Sequence, residues 1–424
     1  MKQLTAIIIG AGGRGRRYSK FILNNPEMYD VVGVAEPIDV RRDLIIERHP
    51  KAAEAAYKCW TEILARPRFA DIAIITTMDR MHIEPALRAI ELGYDILLEK
   101  PLAATPEDCK RLVEAAEAKG TRVLICHVLR YTPFFRALRE IIDSGRLGRV
   151  MSVIHTEGIG HLHFSSSYVR GSWHNEAESS FMLLAKSCHD VDILQWLLGR
   201  ECLRVQSFGS LGYFTRENQP KGAPDYCLDG CPHADSCPYD AEKIYLKSTS
   251  RWKGARLCDD PYPSDDAIRE ALQRGPYGRC VFACDNDVAD HQTVNMEFEG
   301  GCTVTFSVNA FNIGGRSIRI MGTHGELEAW MDRDTIKFSN LITKETEDIR
   351  ISDAVGDETI FGGHGGGDEG IMYALHDLIA NGAASKSVCD VRTAYRNHLI
   401  AFAAEESRHT GKVIDLAEYE ASVK

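Results

Sequence analysis

The chain has 424 residues, 44% of them hydrophobic, and 50 Lys and Arg stand against 61 Asp and Glu for a formal net charge of −11. That length predicts two or three domains at about 150 residues each, and the acidic balance excludes a global positive field for nucleic acid or an anionic membrane surface. The apolar runs fall far short of the roughly 20 residues of a membrane helix, and the opening Met-Lys-Gln runs straight into a strand, unlike a cleavable leader, so a cytoplasmic protein is expected.

The first third alternates short β-branched runs with helical periodicity. Strands are predicted at 4–9, 31–35, 71–76, 95–98 and 122–126, each nearly all apolar, as strands covered on both faces are. Helices are predicted at 13–25, 40–49, 81–92 and 106–119, the last with Thr105 as N-cap before Pro106. Residues 1–130 therefore read as an α/β, doubly wound parallel sheet that binds a dinucleotide.

Gly10-Ala11-Gly12-Gly13-Arg14-Gly15 joins the first strand to the first helix, the context a G-x-G-x-x-G motif requires. Gly10 makes the tight turn, Gly12 and Gly13 admit the pyrophosphate, Gly15 lets helix and strand pack closely, and Arg14 adds a phosphate contact. The plain alternative is a tight turn without ligand. Glu36 ends the second strand, where a carboxylate accepts both ribose hydroxyls and favours NAD over NADP. Arg41 and Arg42 either face that ribose or lie on the solvated side of the next helix. Thr76 and Thr77 end the 71–76 strand at the ligand-binding edge, and His82 follows, either in the site or bonded to backbone at a helix start. Glu99-Lys100-Pro101 closes the 95–98 strand where a nicotinamide would lie. There Lys100 can bond to a hydroxyl and help deprotonate it, since a neighbouring positive charge eases loss of its proton; otherwise Glu99 and Lys100 form a surface pair.

After Arg130 the rhythm changes. A helix is predicted at 134–144, a strand at 150–156 and a helix at 189–198; then strands at 293–298, 303–309, 317–321 and 326–331, the first two joined by the Glu299-Gly300-Gly301 turn, and closing helices at 369–380 and 392–408. Residues 131–424 read as an α+β domain with a mostly antiparallel sheet, interrupted at about 214–288 by a Cys-rich insertion without periodicity.

Taken together, the glycine motif, Thr77 with His82, Glu99-Lys100-Pro101, His127-Val128-Leu129-Arg130-Tyr131-Thr132-Pro133 and His189-Asp190-Val191-Asp192 resemble the glucose-fructose oxidoreductase and inositol dehydrogenase family, Gfo/Idh/MocA. The resemblance implies a Rossmann domain with an open-faced substrate domain, tightly held NAD(H) or NADP(H), a pyranose or polyol substrate, and a homodimer or homotetramer. It implies cofactor contacts from Glu99, Lys100 and His127, and substrate contacts from Arg130, Tyr131 and Asp192. It also implies an acid/base role for His189 beside Lys100. The family's aspartate four residues before this histidine is replaced by Ala185, and Lys186 is an added cation. Lys186 either joins the catalytic pair by binding a carboxylate, sulfonate or keto oxygen, or pairs with Asp190 or Asp192.

Other polar residues are candidates for the substrate. His161 and His163 are expected on one side of a strand, with Arg170, Trp173 and His174 following; Trp173 can stack on a sugar face. The His161-x-His163 spacing lacks a third metal ligand. The glycine-rich loop at 362–368 can fold over a ligand, bringing His364 and Asp368 to it with Asp368 as helix N-cap, or it is a cap without chemistry. The odd count of 13 cysteines argues against a disulfide framework. Cys227, Cys231, Cys237 and Cys280 are expected to hold a structural zinc, with Cys284 or Cys258 as substitutes; an iron–sulfur cluster or free packed thiols are the alternatives. Cys188 is expected to pack. The expected function is hydride transfer between NAD and a ring hydroxyl of a sugar, sugar acid or cyclitol. The alternative is an NAD-dependent glycoside hydrolase acting by transient oxidation, elimination and re-reduction, and a third reading is a non-catalytic NAD sensor.

Overall fold

Strands β1 (Leu4–Ile9), β2 (Tyr29–Ala35), β3 (Ala56–Tyr57), β4 (Ile72–Ile75), β5 (Asp95–Leu98) and β6 (Val123–Ile125) form a parallel sheet in the order β3-β2-β1-β4-β5-β6. The order reverses between β1 and β4, which opens a crevice at the carboxyl ends of the strands. Helices α1 (Gly13–Asn24), α2 (Asp39–Arg48), α3 (Ile83–Leu92) and α4 (Pro106–Lys119) connect the strands. The Thr105 hydroxyl accepts the amide of Asp108 and caps α4, as the sequence predicts. The computed structural model describes residues 2–247, 257–259, 263–355 and 363–424. Gly362 and part of the Cys-rich insertion lie outside the described residues.

After α5 (Pro133–Asp143) come β7 (Val150–Gly158), α6 (Met182–Leu198) and β8 (Cys202–Ser210). The insertion carries α7 (Asp265–Arg274) and precedes β9 (His291–Phe298), β10 (Cys302–Asn309), β11 (Gly315–Gly322), β12 (Gly325–Trp330), β13 (Thr335–Asn340) and β14 (Thr346–Ile349). Helices α8 (Gly367–Ala380) and α9 (Val391–Thr410) and the short β15 (Ile414–Asp415) follow. The second sheet has nine strands in the order β14-β13-β12-β11-β7-β10-β9-β8-β15. Every pair is antiparallel except β7 with β10.

Alternation along the strands assigns their side chains. Along β1, Leu4, Ala6 and Ile8 join one core with α1, while Ile7 and Ile9 join the other with α3 and α4. The first of these cores also takes in Ile371, Met372 and Leu375 of α8, and the Tyr29 hydroxyl donates to the Met372 carbonyl at 2.6 Å. The chain therefore returns to the parallel sheet near its end. Val153, His155 and Glu157 of β7 point inward, while Ile154 on β7 and Phe208 on β8 are exposed. The insertion has a separate small core of Ala241, Ile244, Tyr245, Ile268 and Leu272.

Two expectations are corrected. Residues His161–Phe164 form a helical turn continued by a π turn at Ser165–Val169, so His161 and His163 do not share a strand face. Helix α6 begins at Met182 and not at 189, because its first turns are buried on all sides and show no amphipathic stripe.

Candidate active site

The glycine loop leaves a cradle that only glycine permits. Gly10 has φ +91°, and a Cβ there would stand 2.8 Å from the Thr76 carbonyl oxygen; at Gly15 it would stand 2.1 Å from that of Gly10. At Gly12 and Gly13 a Cβ would meet nothing within 4 Å. Gly10 and Gly15 thus pack the turn, and the space beside Gly12 and Gly13, at the start of α1, suits a pyrophosphate. Buried Glu36 accepts the amides of Ala11 at 2.6 Å and Ile38 at 3.1 Å, which fixes its carboxylate beside the loop. The Thr76 hydroxyl donates to the Gly10 carbonyl at 2.5 Å. These residues fit a dinucleotide.

At the end of β5, Lys100 crosses to the second half of the chain. Its Nζ donates to the Ala185 carbonyl at 2.6 Å, about one turn of α6 before His189. His189 is buried, its Nδ1 has no hydrogen-bond partner among the described residues, and its ring stands 5.7 Å from that of His127 and 6.2 Å from that of His364. Burial, and then the charge of Lys100, hold the imidazole well below its ordinary pKa, so it is neutral near pH 7.

Next to this pair lies a charge network that the sequence analysis missed. Lys186 Nζ is 3.0 Å from Glu157, which corrects the expected pairing with Asp190 or Asp192. The other Glu157 oxygen meets Arg316 Nε at 2.7 Å; Arg316 also donates to Asp190 at 2.8 Å, and His155 Nε2 lies 2.9 Å from Asp190. The signal was present in β7, where His155 and Glu157 occupy alternate inward positions among apolar residues.

Residues 4–127 match the model of an oxidoreductase family with an NAD-binding Rossmann fold, and residues 139–416 match the C-terminal alpha/beta domain of the same family, Gfo/Idh/MocA. The chain belongs to this oxidoreductase family. The oxidoreductase YteT of Bacillus subtilis is 25% identical over 388 residues, 87% of this chain and 88% of that one. Inositol 2-dehydrogenase of Salmonella typhimurium is 26% identical over 216 residues, 51% of this chain and 59% of its own length. Levoglucosan dehydrogenase, in complex with NADH and levoglucosan, has the same fold with a TM-score of 0.71 at 18% identity, covering 98% of this chain and 100% of that one. So does an oxidoreductase from Agrobacterium radiobacter in complex with NAD+, L-tartaric acid and magnesium, with a TM-score of 0.70 at 14% identity and coverage of 98% and 99%.

Within this Gfo/Idh/MocA oxidoreductase, several expected ligand contacts are taken by the protein itself. Arg14 Nε donates to Glu99 at 2.5 Å and its Nη2 meets Asp368 at 2.8 Å, so its charge faces carboxylates and not a phosphate. Burial pushes the Glu99 carboxyl up, but Arg14 outweighs it and holds it below the usual range. The Thr77 hydroxyl donates to the Met81 carbonyl at 3.0 Å, and the two ring nitrogens of His82 face the carbonyls of Pro101 at 2.7 Å and Thr77 at 3.1 Å. Thr77 and His82 thus bond to the backbone of their own loop and of Pro101, the residue after Lys100. Arg41 pairs with Asp259 at 3.2 Å, and Arg42 donates to the Glu36 carbonyl at 2.8 Å.

Below His189, Arg130 donates to Asp192 through Nε at 2.8 Å and Nη2 at 2.7 Å, and Asn397 adds a third bond at 2.5 Å. This buried pair corrects the assignment of Arg130 and Asp192 to substrate, because each is the other's partner. Tyr131 is buried with its hydroxyl unpartnered. His127 is also buried, with neither ring nitrogen hydrogen-bonded, and burial pushes it down to about 4. It lies against the rings of His189 and His398 as packing.

His161 Nδ1 lies 3.2 Å from the Asn312 carbonyl, and the His163 ring stands 6.2 Å from Tyr168. Trp173 Nε1 donates to Asp79 at 3.1 Å, tying its indole to the loop after β4, and His174 Nδ1 lies 2.9 Å from the Gly171 carbonyl. His364 Nδ1 lies 2.9 Å from Asp368 and 3.4 Å from Arg14 Nη1, so its loop reaches the first helix. Asp368 is not the N-cap, which is Gly366; it sits in the first turn of α8. Burial raises its pKa, but His364 and Arg14 outweigh burial and hold the carboxyl low.

Arg170 is corrected from a substrate ligand to a residue that bonds to the insertion. Its Nε donates to the Arg279 carbonyl at 2.7 Å, and Nη2 donates to the Tyr239 carbonyl at 2.8 Å and to Cys227 Sγ at 3.5 Å. Cys227, Cys237, Cys280 and Cys284 lie within electrostatic reach of its guanidinium. Among the described residues, no three cysteine sulfurs lie within 4.8 Å of one another. Cys258 Sγ donates to the Ala267 carbonyl at 3.7 Å, and the Cys231 carbonyl accepts the amide of Ala234 at 3.2 Å. Cys188 is buried, as expected for a packing thiol.

Proposed function

We propose that this oxidoreductase transfers hydride between NAD and a ring hydroxyl of a sugar, sugar acid or cyclitol, with Lys100 and His189 as the proton pair. The observation that carries the reading is the Lys100 bond to Ala185 O, which fixes the ammonium beside the neutral His189 imidazole. NAD, when bound, supplies the hydride acceptor at nicotinamide C4. Lys100 Nζ keeps donor capacity beyond Ala185 and bonds to the reacting hydroxyl oxygen. His189 takes the hydroxyl proton as the carbonyl forms, which a neutral imidazole can do and an imidazolium cannot. Lys186, Glu157 and Arg316 supply charged groups to orient the remaining hydroxyls. The partners invoked for related proteins support this class: inositol for the Salmonella relative, by its name, and levoglucosan for the structural neighbour.

The test is NADH formation across a panel of aldoses, uronates and cyclitols, with Lys100→Ala expected to remove turnover while NAD still binds. The loss of the family's aspartate at Ala185, with Glu157 held nearby by Lys186, favours a second reading in which the oxidised sugar eliminates an aglycone and takes the hydride back. Release of aglycone without net NADH would select it.

The odd count of 13 cysteines, which argues against a disulfide framework, supports a reducing, cytoplasmic setting. The exposed Ile154 and Phe208 on the outer face of the second sheet support face-to-face pairing into a homodimer or homotetramer, which light scattering would check.

A further inference from the structure

The insertion between β8 and β9 is poorly supplied with its own core. Among the described residues five buried side chains form it, while Phe214, Tyr239, Val281, Phe282 and Val288 pack into the main core, so a cross-link would add to a small local core. Its two ends are clipped together: Tyr226 and Arg279 form an antiparallel bridge, the Cys227 amide donates to the Gly278 carbonyl at 2.9 Å, and the Cys280 amide donates to the Asp225 carbonyl at 2.8 Å. This brings Cys227 and Cys280 to facing strands.

Two of the sulfurs accept amides from two residues onward. Tyr239 N donates to Cys237 Sγ at 3.4 Å across Pro238, and the Phe282 amide does the same for Cys280. Such amide donors stabilise a sulfur that carries negative charge. The second observation is Arg170. It is only 3% exposed, and among the described residues its bonds go to two carbonyls and the Cys227 thiol while its Nη1 has none. A buried guanidinium without a carboxylate is costly. A cluster of neutral thiols does not offset it, whereas a thiolate cluster with net negative charge does.

We propose that the insertion holds a structural Zn2+ on Cys227, Cys237, Cys280 and Cys284, with Arg170 as the buried counter-charge. On binding, each thiol gives up its proton to solvent and its thiolate coordinates the cation, so four thiolates and one Zn2+ leave a net charge of −2, half offset by Arg170. The sulfurs turn inward to close the site, since among the described residues no three of them lie within 4.8 Å of one another. Cys284 replaces the Cys231 expected from spacing, because its Sγ lies 3.3 Å from the Cys280 carbonyl oxygen, one turn from the Cys280 thiol.

The experiment is elemental analysis of the purified full-length protein, with thiol titration before and after a chelator. About one zinc per chain, with thiols that become reactive only after metal release, is expected. Cys227→Ser and Cys284→Ser should lose the metal and Cys231→Ser should keep it. NAD binding by the same variants reports whether the Rossmann half stays folded. Metal-free protein with reactive thiols or a disulfide, bound iron with visible absorbance, or metal loss in Cys231→Ser but not Cys284→Ser would each overturn the assignment.

Discussion

Lys100 donates a 2.6 Å hydrogen bond from Nζ to the carbonyl of Ala185, joining the end of β5 to the helix that carries His189. One residue from the parallel sheet and one from the second half of the chain are thereby set at a single place. The position where the family has an aspartate side chain is served here by a backbone carbonyl, which cannot titrate. Lys100 is therefore oriented without an adjacent carboxylate from that position.

The neutral state of His189 sets the pH dependence of turnover. Burial and the charge of Lys100 hold its pKa well below the ordinary value. The acid limb of kcat/KM should then fall below pH of about 6.5, the value of a free histidine. His189→Asn should lower kcat roughly 10²- to 10⁴-fold. A pH–rate profile whose acid limb lies above that value, or an asparagine variant of near-normal rate, would contradict the role.

Stability should also decline toward acid. Burial holds His127 at about 4 and His398 at about 3, so the folded state keeps them neutral while the unfolded chain takes up protons below about 6.5. Stability is complete above that pH and is lost as pH falls, because the unfolded state then binds more protons. His127 alone accounts for a loss on the order of 3 kcal/mol by pH 4. Glu99 and Asp192, both held low, act in the same direction at still lower pH. Urea midpoints measured between pH 8 and pH 5 should fall steadily below about 6.5; a flat profile would refute this.

The glycines of the loop separate folding from binding. Gly12→Ala and Gly13→Ala meet no atom within 4 Å, so these variants should melt like the parent yet lose NAD affinity. Gly15→Ala places a Cβ 2.1 Å from the Gly10 carbonyl oxygen and should lower the melting temperature as well. Calorimetry with and without NAD distinguishes the two classes, and equal melting losses at all three positions would refute the cradle.

Removing one partner of the Arg130–Asp192 pair leaves a buried charge without a counter-ion. Asp192→Ala should cost about 3–5 kcal/mol in chemical denaturation. A cost below about 1 kcal/mol, the range of exposed pairs, would show that the pair is not as buried as its geometry implies.

The parallel sheet was legible because its strands are short, apolar and bounded by turns: β1 and β5 fall at 4–9 and 95–98, as the pattern predicts. The positions of the glycine motif, Glu36 and Lys100 were legible for the same reason, since each follows a recognisable strand, whereas His189 lies inside α6 and was singled out only by the family resemblance. Glu157 and Arg316 were not, because their meaning depends on which strands become neighbours, and β7 pairs with β11 only across most of the second half of the chain. Arg130 and Asp192 looked like ligand contacts through the family resemblance, and Arg170 because it stands in a polar segment. Spacing alone does not show that Arg130 and Asp192 meet in the interior or that Arg170 bonds to Cys227.

The most direct measurement is steady-state turnover and NAD binding of Lys100→Met on the best substrate of the carbohydrate panel. Turnover reduced roughly 10²- to 10⁴-fold with NAD affinity unchanged is the expected result. Near-normal turnover would contradict the placement of Lys100 at the reacting hydroxyl.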